Sequence, residues 1–423
     1  VQKANAAFTV EGKQYPAGSY IVKTDQAFRP HILDMFEPQD HPNDFKYEGG
    51  PPVAPYDAAG WTLAYLMNVK FDRVLNAFDG PFQKMPLGEL LKATPQTLPS
   101  ASGFALSAQA NESYLAVNEL LKAKVEVLRN PVDGSFYVPA SAAAKAALNK
   151  AEHNFGMKVT AAASKPKGAV KVKPSRIALW DTYGGSMPSG WMRYIMEQYH
   201  YDITVVYPPD IDAGKLKDNY DVLIMVGGSV PALANEGGGR GFNPPTVDNI
   251  PDEFKGRVGR MTAEKSVPQL KAFLENGGNI VTIGSATNLA NHLGLPVKNA
   301  LLTADGKRLP NDKYYVPGSV LSVKTDAKLA ANWGLDENTD VYFDNSPVFK
   351  ITENDGKIKP LAWFATDKPL RSGWAWGQAN LKDGVAAFEA DYGKGKLFAF
   401  GPEITFRAQT HGTFKWLFNQ LYK

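Results

Sequence analysis

The run Val222-Leu-Ile-Met-Val226 is apolar without a break and stops at Gly227-Gly228. A strand with no polar alternation has to be covered on both faces, which is the environment of a parallel sheet sandwiched between helices. Its neighbours in sequence fit that setting. Ile177–Trp180 is a short apolar strand followed by Asp181-Thr182-Tyr183-Gly184-Gly185. Residues 189–199 place Trp191, Tyr194, Ile195 and Met196 at helical spacing, and Ile203–Tyr207 is the next strand. Val267–Asn276 reads as a helix stopped by Gly277-Gly278, Ile280–Gly284 as a second buried strand, and Thr287–Leu293 as the helix after it. Residues 301–395 are mostly β by propensity, Lys396–Phe400 is a last strand and Thr413–Leu421 a last helix. Alternation of this kind predicts an α/β fold with a doubly wound parallel sheet over residues 176–423.

A chain of 423 residues exceeds one ordinary domain. Residues 103–163 read as strand-helix-strand-strand-helix-strand: Phe104–Ser107, Asn111–Ala123, Val125–Leu128, Phe136–Val138, Ala142–Phe155 and Lys158–Ala162. That order predicts a small split α/β module. Residues 1–102 form an irregular α/β segment that belongs with it or stands apart. Strands are expected at Phe8–Val10 and Tyr20–Lys23, around the turn Tyr15-Pro16-Ala17-Gly18, and a helix at Asp57–Asn68. Residues 164–175 are rich in Pro, Ala, Gly and Lys without an aromatic residue, the composition of a linker.

Composition excludes several chemistries. With no cysteine there are no disulfides, thiolate metal sites or cysteine nucleophiles. A net charge of +3, with dispersed Lys and Arg, supplies no basic patch for nucleic acid. No apolar run approaches the ~20 residues of a membrane span, so a soluble chain is expected. The start at Val1 is expected to reflect either a removed leader or a segment of something longer.

Three stretches carry the candidate chemistry. Gly227-Gly228-Ser229 closes a buried strand, and glycines there let backbone N–H groups approach an anion. Gly284-Ser285-Ala286-Thr287-Asn288 is a strand-turn-helix junction of the kind that presents a nucleophile. Leu397-Phe-Ala-Phe-Gly401-Pro-Glu403 follows near the end. In this order the three resemble class I glutamine amidotransferases, which implies a Rossmann-like domain. The family's Gly-x-Cys-x-Gly aligns with Ala286 at the cysteine and Asn288 at the second glycine. Its Phe-His-Pro-Glu aligns with Gly401 at the histidine and Glu403 at the orienting acid. A glutaminase needs a nucleophile, a base and an orienter. Only the third survives, so Glu403 is expected to be structural, pairing with Arg407 or capping a turn.

Rival chemistries have candidates too. A serine hydrolase would use Ser285 or Ser229, with His292 or His411 as base, although His292 is expected to cap or pack and His411 to face solvent. His31, Asp34, Glu37, Asp40, His41 and Asp44 resemble parts of a metal site, but Pro30, Pro38 and Pro42 are expected to interrupt any helix that would align them. Gly237-Gly238-Gly239-Arg240-Gly241 lacks the Lys-Ser/Thr of a phosphate loop, and residues 235–259 read as a surface flap. Trp374 and Trp376 would share one face of a strand and read as core aromatics rather than a sugar platform.

A wider resemblance covers nearly the whole chain. Tyr15-Pro16-Ala17-Gly18-Ser19-Tyr20, Arg29-Pro30-His31, Glu37-Pro38-Gln39, Gly50-Pro51-Pro52, Pro55-Tyr56-Asp57 with Gly60-Trp61-Thr62, Gly190-Trp191-Met192-Arg193 and Phe406-Arg407-Ala408-Gln409-Thr410-His411 resemble the C-terminal half of large bacterial secreted zinc carboxypeptidase-like proteins. That family implies an exported, secreted or periplasmic location and a separate catalytic domain binding zinc through a His-x-x-Glu pair. This chain has no His-x-x-Glu, so no zinc ligand or base carries over and no cofactor is expected in it. The expectation is a non-catalytic ancillary region: a scaffold beside a peptidase domain, or a binder of peptide or glycan at the Gly227–Ser229 crevice with Ser285, Asn288 and Arg407 as further contacts.

Overall fold

The computed structural model describes residues 1–86, 98, 100–233, 247–303, 305–353 and 356–423. Residues 103–162 carry six elements, with the second strand shorter than expected and shifted to Leu128–Arg129. β1 (Gly103–Leu106), α1 (Asn111–Lys122), β2 (Leu128–Arg129), β3 (Phe136–Pro139), α2 (Ala142–Phe155) and β4 (Thr160–Ala162) follow in order. In the sheet β3 lies between β1 and β2, with β4 on the outer side of β1, all antiparallel. The apolar side of α1, with Tyr114, Val117 and Leu120, is fully buried.

Residues 164–175, expected as a linker, are partly built into this module. β5 (Val170–Lys171) pairs with β2 and adds a fifth strand. Val172 is buried, and Lys173 exchanges backbone hydrogen bonds with Lys423. Composition misled because the open edge of β2 has backbone groups to satisfy, and a two-residue strand needs no pattern of its own.

The large domain begins with β6 (Ile177–Trp180), α3 (Met187–Gln198), β7 (Ile203–Val206), β8 (Val222–Met225), α4 (Ser266–Glu275) and β9 (Asn279–Ile283). It continues through β10 (Ser319–Thr325), β11 (Asn338–Phe343), β12 (Ile358–Trp363), β13 (Val385–Tyr392), β14 (Gly395–Phe400) and α5 (Phe414–Phe418). Strands β7-β6-β8-β9-β14 form a parallel core, the doubly wound order 2-1-3-4-5. β6 and β8 are buried at every position, the expected result of two-sided coverage. Beyond β14 the sheet continues antiparallel through β13, β12, β10 and β11. This is the fold class expected from sequence: a doubly wound Rossmann-like sheet with a smaller α/β module. One hydrophobic core runs from Phe104 to Leu421, so the module and the sheet are packed as one body.

The first 86 residues differ more from expectation. Phe8–Val10 pairs with Lys13–Tyr15 across a turn at Glu11-Gly12, both at positive φ, rather than around Tyr15–Gly18. Tyr20–Ile21 pairs with Gln2–Lys3 instead. The expected helix Asp57–Asn68 is reduced to Leu63–Leu66. A helix at Arg29–Phe36 does form, with Pro30 in its first turn, where a missing N–H costs nothing. Proline therefore starts this helix instead of interrupting it. Side-chain hydrogen bonds tie the segment to the sheet: Trp61 Nε1 donates to Gln409 Oε1 at 2.8 Å and Trp374 Nε1 to Asn43 Oδ1 at 2.7 Å.

Candidate functional site

Strand order reverses between β6 and β8, and the crevice of such a sheet lies outside the carboxyl ends of those strands. The segments there are Asp181–Ser186, Gly227–Ser229 and, beside them, Gly284–Asn288. Asp181 is buried and its Oδ1 accepts from the backbone N–H of Thr182 and of Ser186, both at 2.8 Å, folding the first loop. Gly184 and Gly185 both have positive φ, which a bare backbone permits. Ser186 caps α3 through Ser189 N.

At the second segment Gly228 adopts φ +86° and its N–H donates to Ser285 Oγ at 2.9 Å. The donor available for a bound oxyanion is thus already engaged by a side chain of the same chain. Ser229 is fully buried, and its Oγ has no hydrogen-bond partner among the described residues.

The turn after β9 corrects the alignment that places Ala286 at the apex. Gly284 is the residue with left-handed backbone, at φ +59°, and it starts the 3-10 turn Gly284–Asn288, held by Thr287 Oγ1 donating to Gly284 O at 2.7 Å. Ala286 lies two residues later and is completely buried. Ser285 is exposed, and Asn288 is half-buried where the short helix Leu289–His292 begins. A Cβ built on Gly284 runs directly into Glu403 Oε1. The Glu403 carboxyl therefore occupies the space into which an apex side chain would project.

Glu403 follows β14. Burial, with a contribution from the Asp344 carboxylate, pushes its pKa up to about 7. The expected pairing with Arg407 does not form. Arg407, at φ +47°, stacks its guanidinium over Trp61 at 4.5 Å and over Phe406 at 5.2 Å. Phe406 in turn stacks on Tyr342 at 3.7 Å. At Gly401 a Cβ would collide with the Pro347 carbonyl oxygen and crowd that of Ala386. No side chain fits at this position without moving the backbone beside it.

The histidines lie elsewhere. His292 Nε2 bonds to the Pro231 carbonyl at 2.8 Å. His411, expected in solvent at the start of the last helix, is half-buried, precedes that helix and stacks on Phe414 at 4.8 Å. His31 and His41 are surface groups, His31 exposed and His41 half-exposed, and no group of three or more acidic or histidine side chains converges on a point among the described residues. Gly237–Gly241 lie outside the described residues. Val247–Asn249 and Asp252–Arg257 form short 3-10 turns within what sequence reads as a flap. Trp374 is buried and Trp376 half-buried, their rings 6.4 Å apart and 22° from parallel.

Sequence reasoning placed the Asp181–Gly185 stretch after the first strand but missed the carboxylate that folds it, the Pro347 carbonyl against Gly401 and the residue with positive φ after β9. The last had a signal: Gly284 directly ends an apolar strand.

No family model matches this chain, and no curated protein matches it. Among solved structures it is similar to a ThuA-like protein from Bacteroides uniformis, at 11% identity and TM-score 0.32, over 60% of this chain and 95% of that one. It is similar to a GMP synthase protein from Thermoplasma acidophilum, at 14% identity and TM-score 0.32, over 57% and 94%. A glutamine amidotransferase from Thermotoga maritima is matched at 14% identity and TM-score 0.31, over 56% and 79%. The fold rests on strand order and burial, not on these likenesses.

Proposed function

We propose that this chain is a non-catalytic ancillary region that binds or scaffolds, with its crevice at the carboxyl ends of β6, β8 and β9. The observation that carries this reading is the pairing of Gly284 with Glu403. The turn that would display a nucleophile is at its apex a glycine, and a carboxyl group fills the space in front of it. Covalent catalysis needs a nucleophile within hydrogen-bond reach of a base. Ser285 Oγ is engaged with Gly228 N, Ser229 is sealed in the interior, and His292 is held by the Pro231 carbonyl. What the crevice retains is recognition chemistry: the Ser285 hydroxyl proton, the loop at Gly184-Gly185 and the Glu403 carboxyl.

The sequence resemblance to secreted zinc carboxypeptidase-like proteins supports the rest of the reading: a secreted or periplasmic protein in which a separate catalytic domain holds zinc and this region delivers or positions a peptide or glycan. A fluorophosphonate probe tests the core of it. No labelling of the chain is expected over hours at pH 8, and glutamine is not hydrolysed. Labelling that disappears in Ser285→Ala would overturn the reading.

A further inference from the structure

The small module and the large domain meet at a cleft of about 280 Å³ that lies apart from the Glu403 crevice. Glu112, from the first turn of α1, forms one side of it. Tyr194 and Tyr199, at the end of α3, and His411 and Phe414, before and in α5, form the other, with Ala408 at the rim. The rings are contiguous: His411 stacks on Phe414 at 4.8 Å, and Tyr199 meets Phe414 edge-on at 6.0 Å. Tyr194 is half-exposed at the mouth.

The polar side chains at this cleft are the Glu112 carboxylate, the Gln198 amide, the His411 ring and the hydroxyls of Tyr194 and Tyr199, so the carboxylate is its only formally charged group. Glu112 is half-buried, and neither a hydrogen bond nor an ion pair engages its carboxylate among the described residues. Burial lowers the His411 pKa, which disfavours a charge on its ring. Lys415, whose charge interacts with Glu112, does not line the cleft. Its stem packs on Gly334, and its ammonium feels Asp336 as well as Glu112. The rim backbone is strained: Arg407 and Ala408 are consecutive non-glycine residues at φ +47° and +54°. Such conformations cluster where a ligand is held.

A carboxylate beside contiguous aromatic rings selects an organic cation. The volume sits just below the ~300–1,000 Å³ of sites for drug-sized ligands, so it suits one side chain rather than a cofactor. We propose that this cleft binds a primary ammonium on an aliphatic chain, the chemistry of a lysine side chain in a peptide. The site does not rest on the crevice reading, since none of the residues that line it belongs to the crevice.

The test titrates the whole chain with N-acetyl-L-lysine methylamide by calorimetry, against N-acetyl-L-norleucine methylamide, the same aliphatic chain with a methyl group in place of the charged end. Saturable binding of the lysine amide is expected, with more than fivefold weaker binding of the norleucine amide. Glu112→Gln should lose more than fivefold of the lysine affinity. If that variant fails to fold, Tyr194→Ala at the exposed mouth serves and should lose at least threefold. Absence of lysine-amide binding, norleucine binding within fivefold, or smaller losses in the folded variant would each overturn the proposal.

Discussion

The crevice at β9 and the seam between the two modules handle buried polarity in opposite ways. At the seam Arg129 is buried without a carboxylate partner among the described residues. Its Nε donates to Gly134 O at 3.1 Å and its Nη2 to Asn419 Oδ1 at 2.5 Å. Its guanidinium lies over the rings of Tyr114, Phe136 and Trp333 at 5.6, 4.6 and 4.8 Å. Asn419 also donates to the carbonyls of Ala331 and Trp333, and Tyr422 donates to Asn118 Oδ1 at 2.9 Å. Each of these donors has an acceptor, as a permanent interface requires, although Trp333 Nε1 and Asn111 Oδ1 at the same seam are buried without a partner among the described residues. At the crevice the Glu403 carboxyl fills the space that a Cβ on Gly284 would need and has no cation beside it among the described residues, while the Gly401 side of the turn is blocked by backbone. A satisfied network fixes two bodies against each other. A carboxyl left without a partner costs stability when charged, and so marks a place kept for something other than stability.

The largest effect that would break this contrast lies at the seam. Arg129→Ala leaves the acceptors of Asn419 and Gly134 facing a void, and should cost about 3–4 kcal/mol in urea unfolding. A loss below ~1 kcal/mol would show that the seam is not held by this network. Next comes the blocked turn. Gly401→Ala should cost about 2–3 kcal/mol, because the Pro347 carbonyl has to move to admit a methyl group. A neutral effect would mean that the turn yields easily and that a larger side chain could once have fitted.

The third effect depends on pH. Glu403 has a folded pKa of about 7 against an ordinary 4.5. Between those values the folded state keeps a proton that the unfolded chain releases, so stability falls as pH rises from 4.5 to 7 and is level above that. Glu403→Gln removes the penalty. It should stabilise the chain by roughly 2 kcal/mol at pH 8 and by almost nothing at pH 4, measured as the shift of the urea midpoint. Equal effects at both pH values would show that the carboxyl is solvated, and the crevice would then resemble any exposed turn.

The parallel core was legible because its strands are buried on both faces, and Val222–Val226 records that burial directly. The split module was legible for the same kind of reason, since α1 shows helical spacing between strands of fitting length. The turn after β9 was legible only in part: the resemblance that assigns roles to Gly401 and Glu403 also places Ala286 at the apex, whereas the positive φ falls at Gly284, and local sequence does not say which residue takes it. The N-terminal strands were misregistered because several turn-forming pairs compete there, and the distant strand Phe82–Lys84, which pairs with Gln2–Ala4, is invisible to local reading.

Sequence by itself determined the periodicities, the order of the elements and the absence of cysteine chemistry, since each is a property of neighbours along the chain. Tertiary structure alone decided that Glu403 fills the space before Gly284, that Pro347 closes Gly401, that residues 170–171 complete a sheet and that Glu112 faces Tyr199 and His411 across a seam. That seam joins residues as far apart in the chain as Asn111 and His411. Local propensity carries no record of such distances, and only the packing of one face against another sets them.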